Sequence, residues 1–303
     1  MAKAKNSKKS RPSRRTKKLN ALAAAMLAIP GMSTSAEAQS RPSQPEVHFQ
    51  YSDFQEHQGS NEDRMHINVP QFYFRTPVLS QGAFEGTYTY DGMTGASPLF
   101  LDSLTGASGL GGVDDERHAG TMKYTHYTED FSIAGGLALS DEDDWNSIGG
   151  VGELQTWSED KNTILSLGFS GTQDDIRSTN QPDLDENRTT YKGFVGLTQV
   201  INPELITQWN VTYTSASGYH TDPYKTFDNR PNYRDEIALM ARAVQYLESI
   251  DGSLHGDYRF YYNNHGIASH TLESALYFPI GERGIGRVRG RYYTQTAADY
   301  FGT

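Results

Sequence analysis

From Phe131 to Ser140 the chain reads Phe-Ser-Ile-Ala-Gly-Gly-Leu-Ala-Leu-Ser, with large apolar residues on one side of an extended chain and small or polar ones on the other. This pattern recurs, and its recurrence constrains the fold more than any other feature. Leu165, Leu167 and Phe169 alternate with Ser166, Gly168 and Ser170, and Trp209, Val211 and Tyr213 with Asn210, Thr212 and Thr214. Leu254, Gly256, Tyr258, Phe260 and Tyr262 alternate with His255, Asp257, Arg259, Tyr261 and Asn263, and Val288, Gly290 and Tyr292 with Arg287, Arg289 and Arg291. Successive strand residues point to opposite faces, so each segment predicts a strand with one apolar and one hydrophilic face.

Thirteen such strands are expected, near residues 46–56, 64–75, 82–91, 117–128, 131–140, 145–158, 162–172, 189–201, 204–216, 234–249, 253–263, 269–280 and 284–296. Most run ten to fifteen residues, whereas ordinary strands average about five or six. Short links such as Thr128-Glu129-Asp130, Glu159-Asp160-Lys161 and Asn202-Pro203-Glu204 alternate with longer ones at 92–116, 173–188 and 217–233. Aromatic pairs stand near strand ends, at Tyr261-Tyr262, Tyr277-Phe278 and Tyr292-Tyr293. A soluble β-sandwich also alternates, but long strands, aromatic girdles and unequal connections belong to an antiparallel transmembrane β-barrel of the outer-membrane type. Single-chain bacterial barrels have even strand numbers, and Tyr300-Phe301-Gly302-Thr303 is not a terminal aromatic strand. The expectation is therefore a barrel of 14–16 strands lacking its C-terminal strands in the sequence given.

The N-terminus carries an export signal. Lysines and arginines between Lys3 and Lys18 precede an alanine-rich apolar stretch from Leu19 to about Ile29. Pro30-Gly31 break the helix, and Ala36-Glu37-Ala38 supplies small residues for cleavage after Ala38. Removing residues 1–38 takes nine of the 27 Lys/Arg and one of the 37 Asp/Glu, leaving 18 against 36, a net charge of −18. So acidic a surface excludes nucleic acid as a partner; outer-membrane lipid is the expected one. Without cysteine, disulfides, thiolate metal sites and covalent haem are excluded, and no cofactor motif is present.

Four stretches resemble the bacterial family known as domain of unknown function 3570. They are YDGMTGASP (Tyr90 to Pro98), SGYHTDPYK (Ser217 to Lys225) with RPNYRDE (Arg230 to Glu236), YRFYYNNHGIASHTLE (Tyr258 to Glu273) and RYYTQTAADYF (Arg291 to Phe301). The resemblance implies an outer-membrane barrel with a longer C-terminus and no activity to carry over. Family members whose genes neighbour those of a flavin transferase and a thioredoxin-like protein also imply an envelope redox partner.

Two groups of residues are candidates for function. Asp91 to Asp115 is longer than a hairpin needs, and Tyr90, Asp91, Gly92, Met93 and Thr94 are expected either to narrow a channel as a constriction loop or to form an ordinary ordered loop. His255, Asp257, Arg259, Glu273, Arg287, Arg289 and Arg291 are expected on the lumen side of three adjacent strands. There they form a charge ladder that selects solutes or braces the wall. Asp141-Glu142-Asp143-Asp144 lacks the spacing of a calcium loop, and His220, Asp222 and Asp228 match no recognised metal spacing. QDDI (Gln173 to Ile176) and DLDEN (Asp183 to Asn187) read as exposed acidic loops, and Ser269-His270 is the nearest approach to a catalytic pair. No catalytic, cofactor or metal residue is assigned. The expected role is a porin-like or scaffold barrel rather than an enzyme. The alternatives are an outer-membrane enzyme acting on lipid or surface polymer, and a surface-binding structural barrel.

Overall fold

The computed structural model describes residues 40–58, 62–95, 113–178, 181–221, 223, 229–281 and 284–300; the expected export signal lies outside them. Thirteen strands follow one another: β1 (Glu46–Gln58), β2 (Glu62–Val78), β3 (Gly82–Gly95), β4 (Val113–Tyr127), β5 (Phe131–Asp141), β6 (Trp145–Trp157), β7 (Thr163–Ile176), β8 (Glu186–Asn202), β9 (Leu205–Gly218), β10 (Tyr233–Leu247), β11 (Gly252–Asn263), β12 (Ala268–Ile280) and β13 (Gly284–Gln295). Each pairs antiparallel with its chain neighbours in one sheet, in strict sequence order. Among the described residues β1 and β13 are paired on one side only.

The expected strands are present, but several run further at the end of the sheet that carries the long connections. Tyr90 to Gly95 stay in β3 and pair residue for residue with His118 to Val113. Gln173 to Ile176 stay in β7 opposite Thr189 to Glu186. Hydropathy marks only the apolar band. The backbone ladder continues beyond it, because each added pair satisfies backbone N–H and C=O groups whatever the side chains are.

Burial is inverted relative to a soluble protein. The large apolar residues of the outer face are its most exposed, with Leu137 at 66%, Leu139 at 59% and Phe169 at 60%. Register places them in continuous rows, Met122 beside Leu137, Leu154 beside Leu167, and Leu165 beside Leu197 and Trp209. The opposite, inner face carries the small, polar and charged residues, and there Ser132, Ala134, Asp174 and His255 are buried. Leaving one such large apolar side chain in water forgoes about 1.5–3 kcal/mol. Over the outer rows of thirteen strands the total exceeds a typical net stability of about 5–15 kcal/mol. Hydrocarbon must cover this face, which makes the fold a transmembrane barrel meander.

Tight turns close the other end. Leu79, Lys161 and Asp251 adopt positive φ in the β2–β3, β6–β7 and β10–β11 turns. Asp160 accepts bonds from the Ser158 hydroxyl and from the Asn162 backbone and amide, which hold its carboxyl below the ordinary carboxylate range. Arg41 donates to the carbonyls of Leu79 (2.9 Å) and Gly82 (3.0 Å), tying the segment before β1 to this end. Inside it lie buried Tyr127, Trp157, Ile164, Ile206 and Tyr246. The Trp157 indole donates to the Glu129 carbonyl at 2.6 Å, so its one polar atom is satisfied.

Candidate functional site: the charged inner wall

The inner wall is an ordered set of charge pairs. Strand β5 turns only Ser132, Ala134, Gly136, Ala138 and Ser140 inward. Over these small residues Lys123 on β4 reaches across a whole strand to Glu153 on β6 (3.1 Å), while also holding Glu85 on β3 (2.9 Å). A Cβ at Gly136 would stand 3.1 Å from the Lys123 Cβ and 2.7 Å from the Met122 carbonyl oxygen, so a glycine is needed there. Nearer the long connections Arg117 pairs with Asp91 and approaches Glu142 at 3.8 Å.

The structure places all seven residues of the expected ladder on this wall. Asp257, Glu273 and Arg291 share one row across β11, β12 and β13, and His255, Ala275 and Arg289 share the next. The bonds made are diagonal or come from a strand outside the ladder: Arg289 bonds Glu273, and Arg242 of β10 bonds Asp257. His255 is buried against Ser253 (3.1 Å) and Tyr277 (ring centroids 4.6 Å apart). Arg287 lies 5.9 Å above the Tyr277 ring. Arg259 has no ionic partner among the described residues.

The five expected constriction residues are not gathered in a loop. They are paired residues of β3, and alternation separates them. Asp91 faces inward to Arg117, whereas Tyr90 faces outward against His118, ring centroids 5.1 Å apart. Gly92, Met93 and Thr94 continue the ladder opposite Glu116, Asp115 and Asp114. Ser269 and His270 are split in the same way. Ser269 is buried on the inner face, and His270 stands on the outer face with its Nδ1 2.8 Å from the Tyr258 hydroxyl. The two therefore cannot act on one substrate.

QDDI is an ordered strand end rather than an acidic loop. Asp174, 3% exposed, takes both the Nε (3.0 Å) and Nη2 (2.9 Å) bonds of Arg188 on one oxygen and the Ser147 hydroxyl (2.7 Å) on the other. The Arg188 guanidinium lies 4.5 Å above the Trp145 ring, and Ile176 is 1% exposed beside it. Alternation could have revealed this cluster: Asp174 shares parity with Ser166, Gly168 and Ser170, the inward residues of β7. A cavity of about 310 Å³ adjoins the cluster, lined by Trp145, Arg188, Tyr219, His220 and Arg230 among others.

His220 belongs to this end. Its Nδ1 is 2.9 Å from the Gly218 carbonyl, which can only accept, so Nδ1 carries the proton. Burial, opposed by that bond and reinforced by Arg188, Arg234 and His265, lowers its pKa below the ordinary 6.5. The unfolded chain then binds the proton more readily than the folded one. The contribution to stability is complete above about pH 6.5 and is lost as pH falls through the lower folded value. Protection of the Gly218 and Tyr219 amides relative to their intrinsic exchange rates is expected to fall below about pH 6.5, and His220→Asn to flatten that dependence. Asp222 and Asp228, which with His220 match no recognised metal spacing, lie outside the described residues. Among the described residues no group of three His, Asp or Glu side chains is placed to hold a metal.

The segment holding β8 to β13 carries the seven ladder residues. Residues 177–303 match the family model described as Protein of unknown function (DUF3570). Three of the four resembling stretches fall inside that match, and Tyr90 to Pro98 lies before it. No curated protein matches the sequence. Among solved structures the chain is similar to a variant of the ferric enterobactin receptor of Pseudomonas aeruginosa in complex with enterobactin, at 10% identity and a TM-score of 0.48. That alignment covers 82% of this chain and 44% of the receptor. The chain is also similar to the ferric yersiniabactin uptake receptor of Yersinia pestis, at 10% identity and a TM-score of 0.40, covering 82% of this chain and 56% of that one. A bacterial polysaccharide outer membrane secretin is similar at 9% identity and a TM-score of 0.34, covering 76% of this chain and 89% of that one. The chain thus spans less than two thirds of the length of either receptor.

Proposed function

We propose that the chain forms the wall of an outer-membrane β-barrel that gives small polar solutes a passage. The observation that supports this is the division of the two faces. Apolar rows meet lipid on the outside, while ion-paired, hydroxyl-rich rows cover the inside. A scaffold for a redox partner needs no such inner lining, so passage accounts for more of the wall.

The test uses outer-membrane fractions from cells expressing the full gene. The expected result is a boil-sensitive gel shift, followed by discrete conductance steps from the purified protein in planar bilayers. Arg287 and Arg291 add charge beside a single Glu273–Arg289 pair. Replacing both by glutamine is expected to move the reversal potential in a salt gradient toward cation selectivity. A shift without conductance would replace passage by the scaffold reading, and no shift at all would remove the barrel.

A further inference from the structure

A second cavity lies on the inner wall between β8 and β11, away from the paired charges. Its volume is about 520 Å³, within the usual range of about 300–1,000 Å³ for small-molecule sites. Register explains its shape. Phe194, Thr212, Ala238 and Tyr261 form one row across the four strands. The small pair Thr212 and Ala238 makes the floor, and the two rings stand as walls about 14 Å apart at three strand spacings. Two residues from Phe194, toward the long connections, is Lys192; two residues from Tyr261, toward the tight turns, is Arg259. Both line the cavity, at opposite corners.

These two cations differ from the paired cations of the wall, and they lie away from Arg287 and Arg291 of β13. Lys123, Arg117, Arg188, Arg242 and Arg289 each hold a carboxylate. Lys192 and Arg259 hold none among the described residues. The one carboxylate at the rim, Glu236, is engaged by Arg234 at 2.6 Å and by the Tyr261 hydroxyl. The cavity therefore presents two positive charges without a carboxylate partner, a floor of small residues and two aromatic walls. Cations left unpaired at opposite ends of a slot between rings match a flat anion with charge at its ends.

We propose that this cavity is a binding station for planar organic anions of the aromatic carboxylate class, with Lys192 and Arg259 holding the carboxylates and Phe194 and Tyr261 flanking the ring. The inference rests on the passage reading and names the solute class it favours. It also stands by itself as a binding site, so the two can fail separately.

Terephthalate is the probe, with acetate and inorganic phosphate as controls, titrated calorimetrically into the detergent-solubilised full chain. Saturable terephthalate binding is expected, with acetate and phosphate at least about tenfold weaker. Lys192→Gln and Arg259→Gln should each weaken terephthalate about 10-fold or more, the size of a lost charge-assisted bond. Phe194→Leu should narrow the preference for terephthalate over acetate. Each variant's boil-sensitive shift verifies that it still folds. No saturable binding, equal binding of phosphate, or binding indifferent to both charge substitutions overturns the proposal. Conductance without binding would leave the passage standing and remove the station; binding without conductance would do the reverse.

Discussion

Replacing Asp174 by alanine is expected to cost about 3–5 kcal/mol, the usual penalty for removing one partner of a buried ion pair. The Asp174 side chain is 4% exposed and that of Arg188 is 24% exposed. Truncation strands a guanidinium beside the Trp145 ring and leaves the Ser147 hydroxyl without its acceptor. Urea unfolding of the protein refolded into lipid bilayers measures the loss. Asp174→Leu combined with Arg188→Met should recover most of it, because an apolar pair of similar size leaves no buried charge. A single-variant loss under about 1 kcal/mol would show that Arg188 simply swings out to solvent, as surface ion pairs do.

The second large effect is expected at Gly218, the last residue of β9. Its φ is +116°, and a side chain there would run into the Asn187 carbonyl and stand 2.8 Å from the Arg188 Cα, both backbone atoms of the neighbouring strand. Backbone cannot yield as a flexible side chain does. Gly218→Val should therefore cost at least about 3 kcal/mol, combining the positive-φ penalty with the steric overlap. The damage should be local: protease cleavage near residues 186–190 and 218–221 is expected while the tight turns stay protected. Because the same overlap displaces Arg188, Gly218→Ala and Asp174→Ala combined should destabilise by less than the sum of the two. Strict additivity would mean that Arg188 does not couple them.

These two sites also show what could and could not be read ahead of the structure. Alternation located all thirteen strands and put the seven ladder residues on one face, because parity along a strand follows directly from its geometry. It could not give partners. Asp257 bonds Arg242 on β10 rather than an arginine of β13, a fact fixed by register and side-chain reach. Composition misread the strand ends. Tyr90 to Thr94 and Gln173 to Ile176 look like loops because they are glycine-rich or acidic, yet the ladder carries them. The Lys192–Arg259 cavity was hidden for another reason: its walls are 67 residues apart in the chain, as Phe194 and Tyr261, and meet in one row only through four registered strands.

The strictly sequential pairing order has a consequence for how such a wall can vary. Every strand shares its backbone ladder only with its predecessor and successor, so the natural unit of change is the hairpin. Excising β5 and β6 together would join β4 to β7, leaving each remaining strand running in its original direction with the same side chains toward lipid. Removing one strand alone would reverse the direction of all that follow and exchange the tight-turn end for the long-connection end. Circumference can thus change in steps of two strands, while the cluster around Asp174 and the cavity around Thr212 are each carried whole by four consecutive strands, β6 to β9 and β8 to β11.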